Sequence, residues 1–288
     1  MLLRFIQGIA AVGKMITNKS DKELVFLYDL FVATDWGERF AELADEHIVL
    51  PEEGRALYLV AGTGGHAIAL RARASENLKF TSIDENEECV ELARAKATVI
   101  KDPTEFRQGR IDALDLGDNQ FDFAFGDASL IDPERVPKMV AEMVRVVRPG
   151  GTVALNLATA SSFAEFFSIY WEALYNCGLM DHEADIENLI SERLTVSETE
   201  SLAEREGLEE VRSWTRIEEF EYDSGEQFLS APLISDFLMK DWLEFIPESS
   251  RAQVSQEIGR IINEERHNAE FALSVKATLI VGRKSRSN

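Results

Sequence analysis

The feature that most constrains this chain is the run Ala56-Leu-Tyr-Leu-Val-Ala-Gly-Thr-Gly-Gly-His-Ala67. Leu57, Leu59 and Val60 open it as a buried strand, Gly62, Gly64 and Gly65 turn the chain, and Ile68, Ala69, Leu70 and Ala72 continue at helical length. Glycine at such a turn lets the backbone bend sharply and lets a ligand approach it closely. The unpaired N–H groups at the helix start favour an anionic part of that ligand. About twenty residues on, Leu78-Lys-Phe-Thr-Ser-Ile-Asp84 predicts a second strand that ends in an acid, and a carboxylate there accepts hydrogen bonds from ribose hydroxyls. The expected ligand therefore contains a nucleoside and lies across the carboxyl ends of parallel strands.

The rest of the chain repeats the alternation. Asp21 to Glu46 is helical in pattern, with Leu24, Leu27, Tyr28, Phe31 and Val32 recurring on one side, and Pro51 and Gly54 mark the loop into strand one, Ala56–Ala61. After strand two, Leu78–Asp84, Asn86 is placed to cap a helix carrying Val90, Leu92, Ala93 and Ala97. A short third strand spans Glu105–Gln108, and a fourth, Phe121–Gly126, follows the turn Gly117-Asp-Asn119. Pro133 opens a helix with Val136, Met139, Val140, Met143, Val146 and Val147 on its apolar side; it stops at Arg148-Pro-Gly-Gly151, before strand five, Thr152–Leu157. Such alternation means a parallel sheet with right-handed crossovers. The second half differs. Phe163–Leu179 reads as an aromatic-rich helix, and Ser197 with Glu200 reads as the capping box of a helix that ends near Gly207. Strand six, Ser213–Tyr222, precedes a helical insertion over Gly225–Arg266, and strand seven, Phe271–Val281, closes the pattern.

Composition sets the limits on partners. The 288 residues are 45% hydrophobic, enough for a sizeable core, and carry a net charge of −22. A surface this acidic repels phosphate backbones, so nucleic acid is not an expected partner. Cys89 and Cys177 show no metal or redox spacing, which fits a reducing cytosol and a cytoplasmic location. No apolar run is long enough to span a membrane, and no acids or histidines stand at metal-ligand spacing. Leu2, Phe5, Ile6, Ile9, Val12 and Ile16 share one helical face, open to packing on the domain, on a second subunit in a homodimer, or on a membrane surface; Arg4 and Lys14 argue against a signal peptide.

Taken in order, the stretches LYLVAGTGG, FTSIDENEECVELARAKA, RIDALDLGDNQFDFAFGDASLI and MVRVVRPGGTVALNLA resemble the class I S-adenosylmethionine-dependent methyltransferases, in the broad branch that acts on small molecules, and the final ALSVKATLIVGRK echoes them. The resemblance implies a Rossmann-like α/β fold: a doubly wound, mostly parallel seven-stranded sheet with an antiparallel last strand. It implies one methyltransferase domain, with an N-terminal helical cap over residues 1–50 and a core over 51–222 that includes a helical segment at 161–194. A helical lid over 223–267 and a last strand and tail over 268–288 complete it. It also implies that Ala61, Gly62 and Gly64 hold the methionine part of S-adenosylmethionine, that Asp84 takes the ribose hydroxyls with Glu85 beside it, and that Asp112 and Ala113 meet the adenine. Gly126 and Asp127 would border the reacting methyl, and Tyr28 would close over the cofactor. The partner would be a small methyl acceptor. Phe228, Leu229, Leu233, Ile234, Phe237, Leu238, Trp242, Phe245 and Ile246 offer either an apolar pocket for it or the packing that docks the insertion.

Two positions depart from the family. It has an acid midway along strand one, which helps to hold the cofactor's ammonium group, and a glycine two residues later; here Tyr58 and Val60 stand there. They motivate a rival reading, a catalytically degenerate fold used for binding or scaffolding. A second rival is a nicotinamide-dependent oxidoreductase, because Gly62-x-Gly64-x-x-Ala67 satisfies the dinucleotide pattern and Asp84 has its offset. No general base is identified. His66 follows the glycines as a polar helix-start residue, and His182 and His267 carry no further signal.

Overall fold

The computed structural model describes residues 19–265 and 271–286. The amphipathic stretch expected over residues 2–16, and His267, lie outside the described residues. By contact the chain forms two compact units: one of Met1–Ala158, Thr195–Arg216 and Ala277–Asn288, the other of Thr159–Leu194 and Ile217–Lys276.

The first unit opens with α1, Asp21–Leu27, a π-helical stretch, Tyr28–Gly37, and α2, Glu38–His47. The alternation follows as β1 Gly54–Leu59, α3 Gly65–Arg73, β2 Leu78–Asp84, α4 Glu87–Ile100, β3 Glu105–Gln108, β4 Phe121–Ala128, α5 Val136–Val146 and β5 Val147–Ala158. Further along come α8, Val196–Arg205, and parts of two long strands, β6, Leu208–Tyr222, and β7, Phe271–Lys284, of which residues 208–216 and 277–284 belong to this unit. The α/β class is as the pattern indicates. The seven-stranded sheet has the order β3-β2-β1-β4-β5-β7-β6. Strands β1 to β5 pair in parallel, and β7 lies antiparallel to β5. The order turns back between β1 and β4, and ligands of open α/β sheets bind at such a reversal, outside the carboxyl ends of the strands.

The core explains the strands. Leu57, Leu59, Phe121, Phe123, Phe125, Leu155 and Leu157 are all buried, and Val136, Met139, Val140, Met143 and Val146 of α5 are buried with them. Each such side chain contributes about 1.5–3 kcal/mol on burial. Asn86 caps α4 as expected, its side chain accepting from the N–H groups of Glu88 and Cys89 at 2.9 and 3.2 Å.

Several boundaries move. Strand one ends at Leu59, because Val60 takes a left-handed φ of +58° that no strand continues. Strand five begins at Val147, so the Arg148–Gly151 stretch is strand rather than connection. Strand six starts at Leu208. The capping box of α8 is Thr195 with Glu198, not Ser197 with Glu200. Thr195 has the extended backbone a cap requires, and its hydroxyl accepts from Glu198 N at 3.2 Å, whereas Ser197 already lies inside the helix.

The second unit carries α6, Ala164–Asn176, α7, Glu183–Ser191, α9, Gly225–Ser230, the π-helical Leu233–Leu238, α10, Met239–Trp242, and α11, Glu248–Glu265. Its interior is aromatic. Phe166 stacks on Trp242 with centroids 4.1 Å apart, and the Tyr170 hydroxyl donates to the Trp242 carbonyl at 2.8 Å. Phe228, Ile234, Phe237, Leu238, Trp242 and Ile246 of the apolar series are all buried. They pack within this unit, Phe228 against Phe166, Tyr222 and Phe271, and Trp242 against Phe163, Phe166 and Phe167.

Candidate cofactor site

The carboxyl ends of β1, β2 and β4 converge on the glycine turn. Gly62, at φ +52°, donates its N–H to Asp84 Oδ2 at 2.8 Å, and Asn86 N donates to Asp84 Oδ1, also at 2.8 Å. Asp84 is 7% exposed, and burial lifts its carboxyl from 3.8 to about 6 against the pull of the Asn86, Gly62 and Glu85 N–H groups. Gly64, at φ +82°, leads into α3; a Cβ there would lie 2.8 Å from the Ala93 Cβ and 3.0 Å from the Phe106 ring. Packing of the turn against α4 and β3 thus requires that glycine, independently of any ligand. Ala61 N donates to the Ile83 carbonyl at 3.2 Å, which ties the turn to β2.

The N-terminal helical stretch crosses these strand ends. The Tyr28 hydroxyl lies 2.9 Å from where a Cβ on Gly62 would stand. Trp36 Nε1 donates to Ser129 Oγ beyond β4 at 2.9 Å, and Asn156 Nδ2 on β5 donates to the Phe40 carbonyl at 2.8 Å. The π-helical winding of Tyr28–Gly37 sits over the crevice, as π segments often do at functional sites. Burial, then Asp127, Cys89 and Asp84, raises the Tyr28 phenol well above its ordinary value. Asp127 accepts from Ser129 N at 3.0 Å, and burial raises its carboxyl. Gly126 faces α5 instead: a Cβ would lie 2.4 Å from Met139 Cε.

Glu85 and Asp112 are brought together by a residue the sequence did not single out. Arg135 donates to both Glu85 oxygens, at 2.9 and 2.6 Å, and to Asp112 Oδ2 at 3.1 Å. Ile111 N adds a bond to Glu85 Oε1 at 3.2 Å, and Arg110 holds Asp112 Oδ1. Burial pushes the Asp112 carboxyl up, but the hydrogen bonds from Arg135 and Arg110 outweigh it and leave it below its ordinary value. Ala113 follows in an exposed loop. A lone Arg behind a helix-opening Pro-Glu gives no signal of these partners.

A second group is also invisible in sequence. The Tyr58 hydroxyl meets His66 Nδ1 at 2.9 Å, and His66 Nε2 meets Asp45 Oδ1 at 2.9 Å. His66 is thus a partly enclosed link between strand and helix rather than a free surface group. Asp29 accepts from Thr63 Oγ1 and from Lys96 Nζ on the far side of the turn.

A methyltransferase domain model matches residues 56–151, which contain this turn, both strand-end acids and the Arg135 cluster. Residues 56–151 are a methyltransferase domain. The chain is 30% identical over 122 residues to a ubiquinone/menaquinone biosynthesis C-methyltransferase of Geotalea daltonii, an alignment covering 41% of this chain and 51% of that protein. It spans about half the length of the curated relatives it matches. The methyltransferase fold extends beyond the domain. The YcgJ protein of Bacillus subtilis superposes with a TM-score of 0.59 at 19% identity, over 86% of this chain and 99% of that one. A Haemonchus contortus phosphoethanolamine N-methyltransferase, solved with S-adenosylhomocysteine, superposes with a TM-score of 0.56 at 12% identity, over 94% of this chain and 60% of that one.

S-adenosylmethionine is the cofactor of this domain class. The chemistry of the methyltransferase turn fits it. Asp84 and Asp127 would offer acceptors to a ligand rich in hydroxyl and ammonium donors, and the first N–H groups of α3 would suit its carboxylate. Among the described residues no cluster of His, Cys, Asp or Glu suits a metal ion, and no helix is long and apolar enough to cross a membrane.

Proposed function

We propose that this chain transfers a methyl group from S-adenosylmethionine to a small molecule. The observation that carries this reading is the Gly62–Asp84 contact at the strand-order reversal, which sets a buried carboxylate beside a glycine turn. In it Asp84 grips the ribose diol, Gly62 and the start of α3 receive the amino-acid tail, and Tyr28 closes the crevice from above. Asp112 meets the adenine while sharing its carboxylate with Arg110 and Arg135, and Glu85 serves chiefly to anchor Arg135. The cofactor supplies a methyl on a sulfonium, a group that needs no further activation. The protein's share is in-line positioning, which yields up to ~7–11 kcal/mol in favourable cases. An apolar acceptor is supported by the likeness to a quinone-pathway C-methyltransferase.

The test is titration calorimetry with S-adenosylhomocysteine and with NAD. Binding of the first alone, lost in Asp84→Ala at unchanged fold stability, supports the proposal, and binding of NAD alone selects an oxidoreductase. A second reading, a binding protein without turnover, rests on Val60: its left-handed backbone keeps the bend of the missing glycine while adding bulk at the turn. Cofactor binding with no methyl transfer to any of a panel of quinols, phenols and amines would select it.

A further inference from the structure

At the opposite end of the sheet from the glycine turn, the first unit holds a cavity of about 450 Å³, within the size of small-molecule sites, about 300–1,000 Å³. Asp122, which lines it, stands at the start of β4; Asp127, at the other end of that strand, is about 17 Å away at the rise of an extended chain. The lining is cationic in a chain that is not. Arg148, Arg212 and Arg283 line it with Asp122 and Glu210, whereas the whole chain carries a net charge of −22. Arg286 stands beside them: its Nε lies 3.1 Å from where a Cβ on Gly150, a lining residue, would be. The acids do not use up this charge. Asp122, with a side chain 9% exposed, accepts from Arg55 N at 2.7 Å and holds Arg148 at 2.5 Å. Glu210 reaches Arg283 only at 3.9 Å, with both side chains more than half exposed, so solvent screens that pair. Arg212 and Arg286 are exposed and carry no ion pair or hydrogen bond among the described residues. The wall that presents Arg212 is fixed. His47 lies flat on Trp214, with ring centroids 4.4 Å apart and 11° between the planes, and Arg216 bonds Glu46 at 2.7 Å, so β6 is tied to the end of α2. β6 is the edge strand, and Glu210 breaks its extended run with a φ of +54°. A left-handed residue inside a strand is strained, and such kinks re-aim the neighbouring side chains. Arginine forks match the paired oxygens of a phosphate or a carboxylate, and two forks with no acid of their own ask for more than one negative charge.

We infer that this cavity is a second binding site, one for a small oxyanion that carries two or more negative charges. A phosphate ester and a polycarboxylate share that chemistry. Arg212 and Arg286 meet its charge, Asp122 holds Arg148 in place beside them, and the His47–Trp214 stack keeps the wall in position. The site lies apart from the cofactor crevice and does not depend on the methyltransferase reading.

The experiment is calorimetry on the full chain at fixed ionic strength, with inorganic pyrophosphate and with citrate as probes. Binding of at least one is expected: pyrophosphate alone marks a phosphorylated ligand, citrate alone a polycarboxylate, and both together a site that reads charge rather than the central atom. Arg212→Gln and Arg286→Gln are each expected to weaken that binding about tenfold, as loss of a bond between charged groups does. Arg260→Gln, an equal change of charge in the second unit, is expected to leave it within about twofold. Weakening in either cavity variant beyond that of Arg260→Gln supports the site. No binding of either probe by the unsubstituted protein would overturn the proposal. Equal weakening in all three variants would overturn it too, by marking a response to net charge alone. Unchanged affinity in both cavity variants would do the same, by putting the anion elsewhere, such as at the start of α3. Both side chains are exposed, so neither variant is expected to lose stability, and thermal melts check that.

Discussion

The backbone N–H of Gly62 and the carboxylate of Asp84 meet at 2.8 Å, and this contact joins the turn after β1 to the last residue of β2. It makes the acid part of the turn before any ligand arrives. The cost is desolvation, which lifts the Asp84 carboxyl to about 6.

That lift has a definite sign. The folded chain holds a proton on Asp84 over an interval in which the unfolded chain, at about 3.9, has released it. Stability of the ligand-free protein therefore falls as pH rises from about 4 to about 6, and this contribution levels off above. Asp84→Asn removes that segment of the profile. If Asp84 takes the ribose hydroxyls as proposed, they donate to its ionised carboxylate, and S-adenosylhomocysteine binding is expected to strengthen as pH climbs through about 6. Urea unfolding and calorimetry across this range check both slopes; parallel stability profiles for the two proteins would refute the assignment.

Val60 is a β-branched residue at φ +58°, a conformation that costs a non-glycine residue about 1–3 kcal/mol. Val60→Gly is expected to raise stability by about 1 kcal/mol after the loss of unfolded-state restriction is subtracted. Denaturant midpoints would show it, and a destabilised variant would mean that the Val60 side chain packs for more than its backbone costs.

Gly64 and Gly65 are neighbours with opposite expectations. Gly64→Ala forces a Cβ to 2.8 Å from the Ala93 Cβ at φ +82°, and is expected to cost about 2–4 kcal/mol. Gly65→Ala meets nothing within 4 Å at the first position of α3, and is expected to be neutral or to stabilise by up to about 1 kcal/mol. Melting temperatures of the pair decide the matter.

Arg135 neutralises two enclosed carboxylates, with Glu85 at 10% and Asp112 at 8% side-chain exposure. Arg135→Met leaves Glu85 without its cation and Asp112 with Arg110 alone. A loss of about 2–3 kcal/mol is expected, toward the low end for buried pairs because some solvent reaches the cluster. Adding Glu85→Gln should recover part of it, and additive losses in that double variant would argue against the pairing.

Much of this was legible in the chain. Apolar residues at period two, broken by Gly, Pro and Asn, delimit β1 to β4 within two residues, because burial and turn geometry act over a few neighbouring positions. Asn86 could be read as a cap for the same reason, and Asp84 as a strand-end acid. The Thr195 and Ser197 boxes show the limit of local reading: both match the spacing, and the backbone angle that selects one of them is set where α8 meets the chain before it.

What tertiary structure decided was pairing. Asp45, Tyr58 and His66 come from a helix, a strand and the helix after the glycine turn, and Arg135 gathers Glu85 and Asp112 from the ends of separate elements. Hydrogen-bond direction and enclosure arise only when those elements pack, since a side chain's partner is fixed by distance in space and no periodicity along the chain encodes it. The sequence alone determined that strands would end at a glycine turn beside an acid; the packed sheet determined which donors that acid would meet there.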